Sequence, residues 1–477
     1  MNNFRVALTA LLPALLLCTP LQAADERFSV ITGGRTIGYV QATTEGSRTV
    51  IAYDVKNNGR GPTISEAVLI DAAGLPTSWS IEGTETFGNK ISERFVSNGQ
   101  VATWTDSTGT ASSPIRGPAL YVAQSASPWA LGLYARATLK SPEGRIAALP
   151  SGTLAVERGP NVTVSGKAGP LTVTRHTLTG IDTTPTTLLL DPHEALFALV
   201  APSFIVVREG YEAEEERLRS LAATWATERL QRIQQEVAHR APSLLRIRNV
   251  RVFDPSTRKL SAPAAVVIEG RVIKAIESAQ APPRPDEVVV DGAGGTLLPG
   301  LFEMHAHLSQ EGALLNVAAG ITSVRDLKQA LADVWAPGDD EAYRGAFAST
   351  LAVMRELHRR GVMIVPGTDY GGGLWLHREL ELLEQAGLSR GEVLARATLD
   401  MAHYLGREAQ LGSIEPGKLA DVFLVPGNPL DELKATKRIA MVVKDGAVYF
   451  PAEIYPRFGI RPVVARPAVR VPQGITF

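Results

Sequence analysis

The stretch TLLPGLFEMHAHL (296–308) decides how this sequence is read. An apolar run follows Pro299-Gly300 and ends in His305 and His307. Side chains two residues apart on a β-strand point to the same face, so both imidazoles are directed at one place. Because imidazole is a frequent metal ligand, the pair predicts a metal site at the end of a strand.

The length and net charge of the chain limit its possible domain number and partners. A chain of 477 residues is long enough for two or three domains, each with its own core. A formal net charge of −1 gives no electrostatic reason to expect nucleic acid or an anionic membrane as a partner. The 45% of hydrophobic and 20% of charged residues are typical of a globular protein.

The first 23 residues have the pattern of a secretory signal peptide. Arg5 supplies the positive charge, residues 6–17 are apolar, and Leu21-Gln22-Ala23 precedes the expected cleavage site. This predicts a periplasmic or secreted protein. The only cysteine, Cys18, lies in that segment, so the mature chain is expected to form no disulfide. No later apolar run has the length of a transmembrane helix.

The rest of the chain changes character several times. Strand-like alternation such as RTVIAYDV (48–55), bounded by glycine turns, predicts a β-sandwich-like N-terminal domain. Apolar residues at helical spacing within 210–240 then predict a long amphipathic helix. The predicted units are a signal peptide (1–23), a β-rich domain (24–207), a connecting helix (208–242), a composite β-domain (243–300 and 411–455), a partial barrel (301–410) and a C-terminal tail (456–477).

Four blocks in the second half of the chain resemble one family. They are VRVFD (250–254) with VVIEGRVIKAIE (266–277), then LPGLFEMHAHL (298–308), VPGTDYGG (365–372), and the terminal run from ATLDMAHYLG (397–406) to GSIEPGKLADVFLVPGNPL (412–430). In this order they resemble the metal-dependent amidohydrolase superfamily, in particular its imidazolonepropionase-like and prolidase-like branch. The resemblance implies an α/β fold, an amidohydrolase-type (β/α) barrel, beside the β-domains.

The resemblance also implies a chemistry. His305, His307 and Asp369 would be ligands of a divalent metal, zinc or alternatively manganese or iron. Asp369 would take the proton of the attacking water. The implied reaction is hydrolysis of a carbon–nitrogen bond in a small amide, a cyclic amide or a dipeptide.

The middle of the barrel departs from the family pattern. Only 62 residues separate His307 from Asp369, whereas a barrel of ~250 residues needs roughly 200 between its first and last strands. No histidine lies between His307 and His358, and Lys328 does not match the bridging lysine of the family. A truncated barrel is therefore expected. Two alternatives stay open beside an active hydrolase: a non-catalytic relic that serves as a binding scaffold, and a homo-oligomer whose chains complete each other's barrels.

Other candidate residues have two interpretations each. His377 follows a glycine-rich loop and would either reach the mouth of the site or lie on a surface helix. His358 is expected to be solvated, and His403 to be a structural residue in a helix that the family uses for packing. Asp326, at the end of a predicted strand, would orient a ligand or cap a turn.

Overall fold

The computed structural model of the chain describes residues 24–167, 169–307, 310–326, 340–369 and 373–477. The predicted signal peptide and Lys328 lie outside these residues. None of the described helices combines the length and the apolar character needed to cross a membrane.

The N-terminal region is one continuous sheet of fifteen strands, so the prediction of a β-sandwich-like domain is wrong in its layering. Consecutive strands pair antiparallel from β1 (Ala24–Thr32) to β8 (Gly109–Pro114) and from β10 (Arg145–Leu149) to β15 (Phe204–Arg208). Strand β9 (Ala119–Tyr121) pairs in parallel with β10, and β1 pairs antiparallel with β15. The strands run from β1 to β15 in chain order: Ala24–Thr32, Arg35–Glu45, Arg48–Val55, Thr63–Ile70, Pro76–Thr84, Lys90–Ser97, Val101–Asp106, Gly109–Pro114, Ala119–Tyr121, Arg145–Leu149, Thr153–Gly166, Gly169–Thr179, Thr186–Leu190, Leu196–Val200 and Phe204–Arg208.

This sheet curls around a helix that the sequence pattern did not predict, α1 (Trp129–Leu139). Eight of the eleven residues of α1 are buried, so the helix lacks the apolar and polar faces by which a surface helix is recognised. The sheet closes where Tyr121 of the edge strand β9 stacks on Phe95 of β6, two strands in from the opposite edge, with ring centroids 4.3 Å apart. The Tyr121 hydroxyl donates to buried Glu93 at 2.6 Å and fastens this closure.

The predicted connecting helix is present as α2 (Glu215–Val237). Its first half packs on the outer face of the fifteen-stranded sheet through Leu218 and Ala222. Its second half contributes Ile233 and Val237 to the core of the C-terminal half. One helix thus belongs to the cores of both halves of the chain.

Strands from both flanks of the predicted partial barrel share a second sheet of ten strands. The link is the antiparallel pairing of β21 with β24, in which Leu297 lies opposite Leu424. The tail returns to this sheet, because its strand β27 pairs with β20. The strands are β16 (Leu244–Asp254), β17 (Lys259–Leu260), β18 (Ala264–Glu269), β19 (Val272–Ser278), β20 (Val288–Asp291), β21 (Thr296–Pro299), β24 (Val422–Val425), β25 (Met441–Lys444), β26 (Ala447–Tyr449) and β27 (Val469–Arg470).

The inserted segment between β21 and β24 carries a two-stranded parallel sheet and several helices. Parallel pairing joins β22 to β23 across helix α3, as in one βα unit of a barrel. The elements are β22 (Leu301–Ala306), α3 (Gln310–Ala318), β23 (Ile321–Asp326), α4 (Asp340–Arg359), α5 (Leu374–Gln385), α6 (Arg390–Arg396) and α7 (Leu399–Tyr404), and the short helix α8 (Pro451–Ile454) follows the second sheet.

Candidate metal centre

The two faces of β22 carry different kinds of side chain. Phe302 and Met304 point to a small apolar cluster that includes Met401 of α7. The alternate residues Glu303 and His305, with His307 just beyond the strand, therefore share the opposite face. This alternation brings the two imidazole rings to a centroid separation of 5.8 Å.

The segment 364–369 lies alongside β22 and carries the carboxylate. The amide of Met304 donates to the Pro366 carbonyl at 3.0 Å, and the amide of Asp369 donates to the His305 carbonyl at 2.7 Å. Such close contact is possible because residue 367 is glycine: a Cβ there would lie 2.7 Å from the Cβ of His305. Asp369 itself has a φ of 56°, a left-handed conformation that aspartate tolerates better than most residues.

The three predicted site residues converge on one carboxylate oxygen. Oδ1 of Asp369 lies 2.6 Å from Nε2 of His307 and 3.2 Å from Nε2 of His305. One ligand atom from each residue lies within 4.8 Å of the others. The side chains keep exposed fractions of 41% for His305, 28% for His307 and 34% for Asp369, so a small molecule can reach them.

These residues fit a divalent cation. Nε2 of His305 is buried and has no hydrogen-bond partner among the described residues, although the Asp369 carboxylate is near. Two nitrogen donors and one oxygen donor form a set typical of zinc and of mononuclear iron sites. Donors on a tetrahedral ion with bonds of about 2.0–2.2 Å stand roughly 3.3–3.6 Å apart, so the His307–Asp369 contact would widen by less than about 1 Å.

Glu303 is a site residue that the sequence reading missed. Its carboxylate is buried and its Oε1 accepts hydrogen bonds from the amides of His305 and Thr368, both at 3.0 Å. It therefore ties the strand that carries the histidines to the segment that carries Asp369. Burial raises the pKa of Glu303. The alternation Glu-x-His-x-His was the available signal, because it puts all three side chains on one face.

His377 belongs to the core, so both of its predicted positions are wrong. Its side chain is buried, with Nε2 2.9 Å from the Ala319 carbonyl and Nδ1 3.1 Å from the Thr436 hydroxyl. It ties α5 to the turn before β23 and to the chain after β24. Desolvation by burial lowers the pKa of His377 to about 4.

Two further histidines also differ from expectation. His403 was expected to be a structural residue of a packed helix, but its side chain is exposed on α7. His358 was expected to be solvated but is partly buried, with Nε2 4.0 Å from Glu392. The backbone of Asp326 pairs with that of Ala306 at the end of the parallel sheet.

A family match agrees with the resemblance over part of the chain. Residues 345–448 match the amidohydrolase family, and this segment contains Asp369. The segment therefore carries the signature of that family, while His305 and His307 lie outside it and owe their place in the site to the geometry. No curated protein matches the chain.

Several solved structures align with part of the chain. They include a Xaa-Pro dipeptidase (15% identity, 44% of this chain and 100% of that chain, TM-score 0.37) and a protein from Bifidobacterium longum assigned as a prolidase (17%, 45% and 98%, TM-score 0.36). A third is the ochratoxinase of A. niger (14%, 44% and 96%, TM-score 0.34). At these scores the superpositions establish no common fold for the chain as a whole.

Proposed function

We propose that this protein is a metal-dependent hydrolase that cleaves a carbon–nitrogen bond in small amides, with dipeptides and cyclic amides as the substrate classes. The observation that supports this proposal most is the position of one Asp369 oxygen between the Nε2 atoms of His305 and His307. The family match of residues 345–448 supports the same reaction class.

His305, His307 and Asp369 would hold the metal. When bound, a divalent ion lowers the pKa of a water molecule and polarises the substrate carbonyl. The carboxylate of Asp369 acts as a general base: it accepts the proton of an attacking water within hydrogen-bond distance. As the carbon–oxygen bond forms and the carbon–nitrogen bond breaks, that proton passes from Asp369 to the leaving amine.

The two imidazoles and Glu303 have separate tasks in this scheme. The Nε2 atoms of the histidines face the carboxylate and would share the metal with it. Glu303 holds the backbones of the two ligand-bearing segments together from beneath. The partly exposed face of the three ligands admits the substrate. Following the sequence pattern of residues 1–23, we also propose that the protein is exported.

An inactive scaffold is the second candidate. The observation that favours it is the size of the parallel sheet: in the part of the chain that the structure describes, it has two strands, where a complete barrel has eight. In this case the two large β-sheets would be the functional parts.

A hydrolysis screen separates the two candidates. The zinc-, manganese- or iron-loaded chain is incubated with a panel of dipeptides and cyclic amides, and released amine is measured. We expect turnover that falls by about 10²–10⁴-fold in Asp369→Asn, because asparagine tolerates the left-handed backbone but accepts no proton. His403→Asn, on the exposed helix surface, is the matched control. Absence of turnover in a metal-loaded, folded chain would favour the scaffold.

A further inference from the structure

A groove far along the chain from the metal ligands separates the fifteen-stranded sheet from α2. It has a volume of about 660 Å³ and is walled by Thr177 and Thr179 of β12, Thr187 of β13, and Trp225 and Arg229 of α2. A second cavity of about 410 Å³ adjoins it and shares Thr179. Volumes of this size between structural units are typical of small-molecule sites.

Two arginine side chains are held against aromatic rings in this groove. The guanidinium of Arg175 lies 4.9 Å from the ring centre of Trp225, and that of Arg229 lies 5.3 Å from the ring centre of Phe458. Residues 225 and 229 are one helical turn apart, so they face the same side of α2. Gly159 makes room for Arg175, because a Cβ there would collide with the guanidinium. Both cations are therefore partly buried and fixed before any ligand arrives.

Arg175 has a hydrogen-bond donor that no other described group uses. Its Nε is buried without a hydrogen-bond partner, and no carboxylate of the described residues forms an ion pair with it. The guanidinium of arginine is suited to bidentate binding of a carboxylate. The threonine hydroxyls on the facing strands add neutral donors beside it.

The acidic residues that line the groove are more exposed than Arg175 and Arg229. Four acids line it, Glu157, Asp182, Glu228 and Glu236, and all are exposed, as are two further arginines, Arg232 and Arg457, whereas Arg175 and Arg229 are partly buried. The interior is thus positive, and the mouth carries more acids than arginines. A ligand with an anionic end and a cationic end fits this arrangement, while a doubly charged anion such as phosphate would be repelled at the mouth.

We propose that this groove binds a small zwitterion, namely a free amino acid or a short peptide. The carboxylate contacts Arg175 and Arg229, and the amino group lies among the exposed acids at the mouth. Leu131, Leu199 and Ile233 also line the groove and provide contact for an aliphatic side chain. The site is separate from the metal centre and does not depend on the hydrolase proposal.

Calorimetric titration of the full chain, treated with a chelator, tests the ligand class. The probes are L-leucine, N-acetyl-L-leucine, L-leucinamide and inorganic phosphate. We expect leucine to bind one per chain. The acetylated and amidated forms, which each lack one charge, should bind on the order of 10-fold more weakly. No saturable leucine binding, or phosphate binding as tight as leucine, would overturn the proposal.

Variants then locate the site. Arg175→Gln and Arg229→Gln should each weaken leucine binding on the order of 10-fold or more, since each removes charge-assisted hydrogen bonds. Arg219→Gln removes a cation from the same helix outside the groove lining and should leave binding unchanged. Asp369→Asn should also leave it unchanged, which separates the groove from the metal centre. Circular dichroism establishes that each variant is folded. Unaltered binding in both folded groove variants would place the ligand elsewhere.

Discussion

His377 makes the stability of the C-terminal half depend on pH. Its imidazole is neutral in the folded chain because burial lowers its pKa from 6.5 to about 4. As the pH falls through 6.5, the unfolded chain takes up a proton on this residue and the folded chain does not. The stability contributed by the neutral imidazole is therefore fully present above pH 6.5 and is lost progressively between pH 6.5 and about 4.

The size of the effect follows from the two pKa values. Between pH 7 and pH 4.5 the linkage removes roughly 2.5 kcal/mol of stability. Buried acids act in the opposite direction, because burial raises the pKa of Glu66, Glu303 and Glu379. The total stability curve therefore mixes several groups, and only the difference between the wild type and a His377 variant isolates this one.

Hydrogen exchange of the α5 amides is the assay, since a chain with several cores does not unfold in one step. We compare the opening free energy of α5 in wild type and in His377→Gln, which keeps a donor for the Ala319 carbonyl but does not titrate. The variant should be less sensitive to acid than the wild type by roughly 2.5 kcal/mol over this pH range. His403→Gln, on exposed α7, should follow the wild type. Parallel curves for wild type and His377→Gln would refute the reasoning.

Three other substitutions have predictable effects. Gly367→Ala should push the Asp369 segment away from His305, cost about 1–3 kcal/mol and weaken zinc binding measured by competition with a chelator, whereas Gly345→Ala in open space on α4 should be neutral or stabilising. Glu303→Ala should remove the carboxylate that accepts from the amides of His305 and Thr368, of which the second keeps the His305 carbonyl as acceptor, and should destabilise the chain by about 1–3 kcal/mol in thermal unfolding, with Glu303→Gln milder because it keeps an oxygen there. Arg246→Met should lower the free energy of unfolding measured in urea by about 3–5 kcal/mol, because it leaves a buried carboxylate without its positive partner. Arg248→Met breaks an exposed ion pair and should lower it by less than about 1 kcal/mol. Equal effects within the glycine pair, the Glu303 pair or the arginine pair would contradict the corresponding prediction.

Local signals in the sequence were sufficient to bring His305 and His307 together. His305 and His307 lie two residues apart on a strand, so their common face follows from strand geometry alone. Placing Asp369 beside them required the family resemblance, because 62 residues separate it from His307. The glycine that permits the contact, Gly367, is recognisable only after the two segments are known to touch.

Features that depend on long-range burial were not predictable. Helix α1 is enclosed by a sheet, so its apolar residues show no helical period. His377 looks like a surface residue until the elements around it are placed. Glu93 and Glu66 read as ordinary strand residues, yet Glu93 accepts the amides of Gln124 and Ser125, and Glu66 that of Ser127. A buried carboxylate is stable when it accepts several hydrogen bonds, and a linear pattern does not reveal such partners.

The metal content of the purified chain tests the central claim most directly. Elemental mass spectrometry of the wild type, after equilibration with zinc and removal of free ion, should give about one zinc per chain. The double variant His305→Ala/His307→Ala should retain none, and His403→Ala should match the wild type. A folded wild-type chain without metal, or a double variant that holds as much zinc as the wild type, would contradict a metal centre at His305, His307 and Asp369.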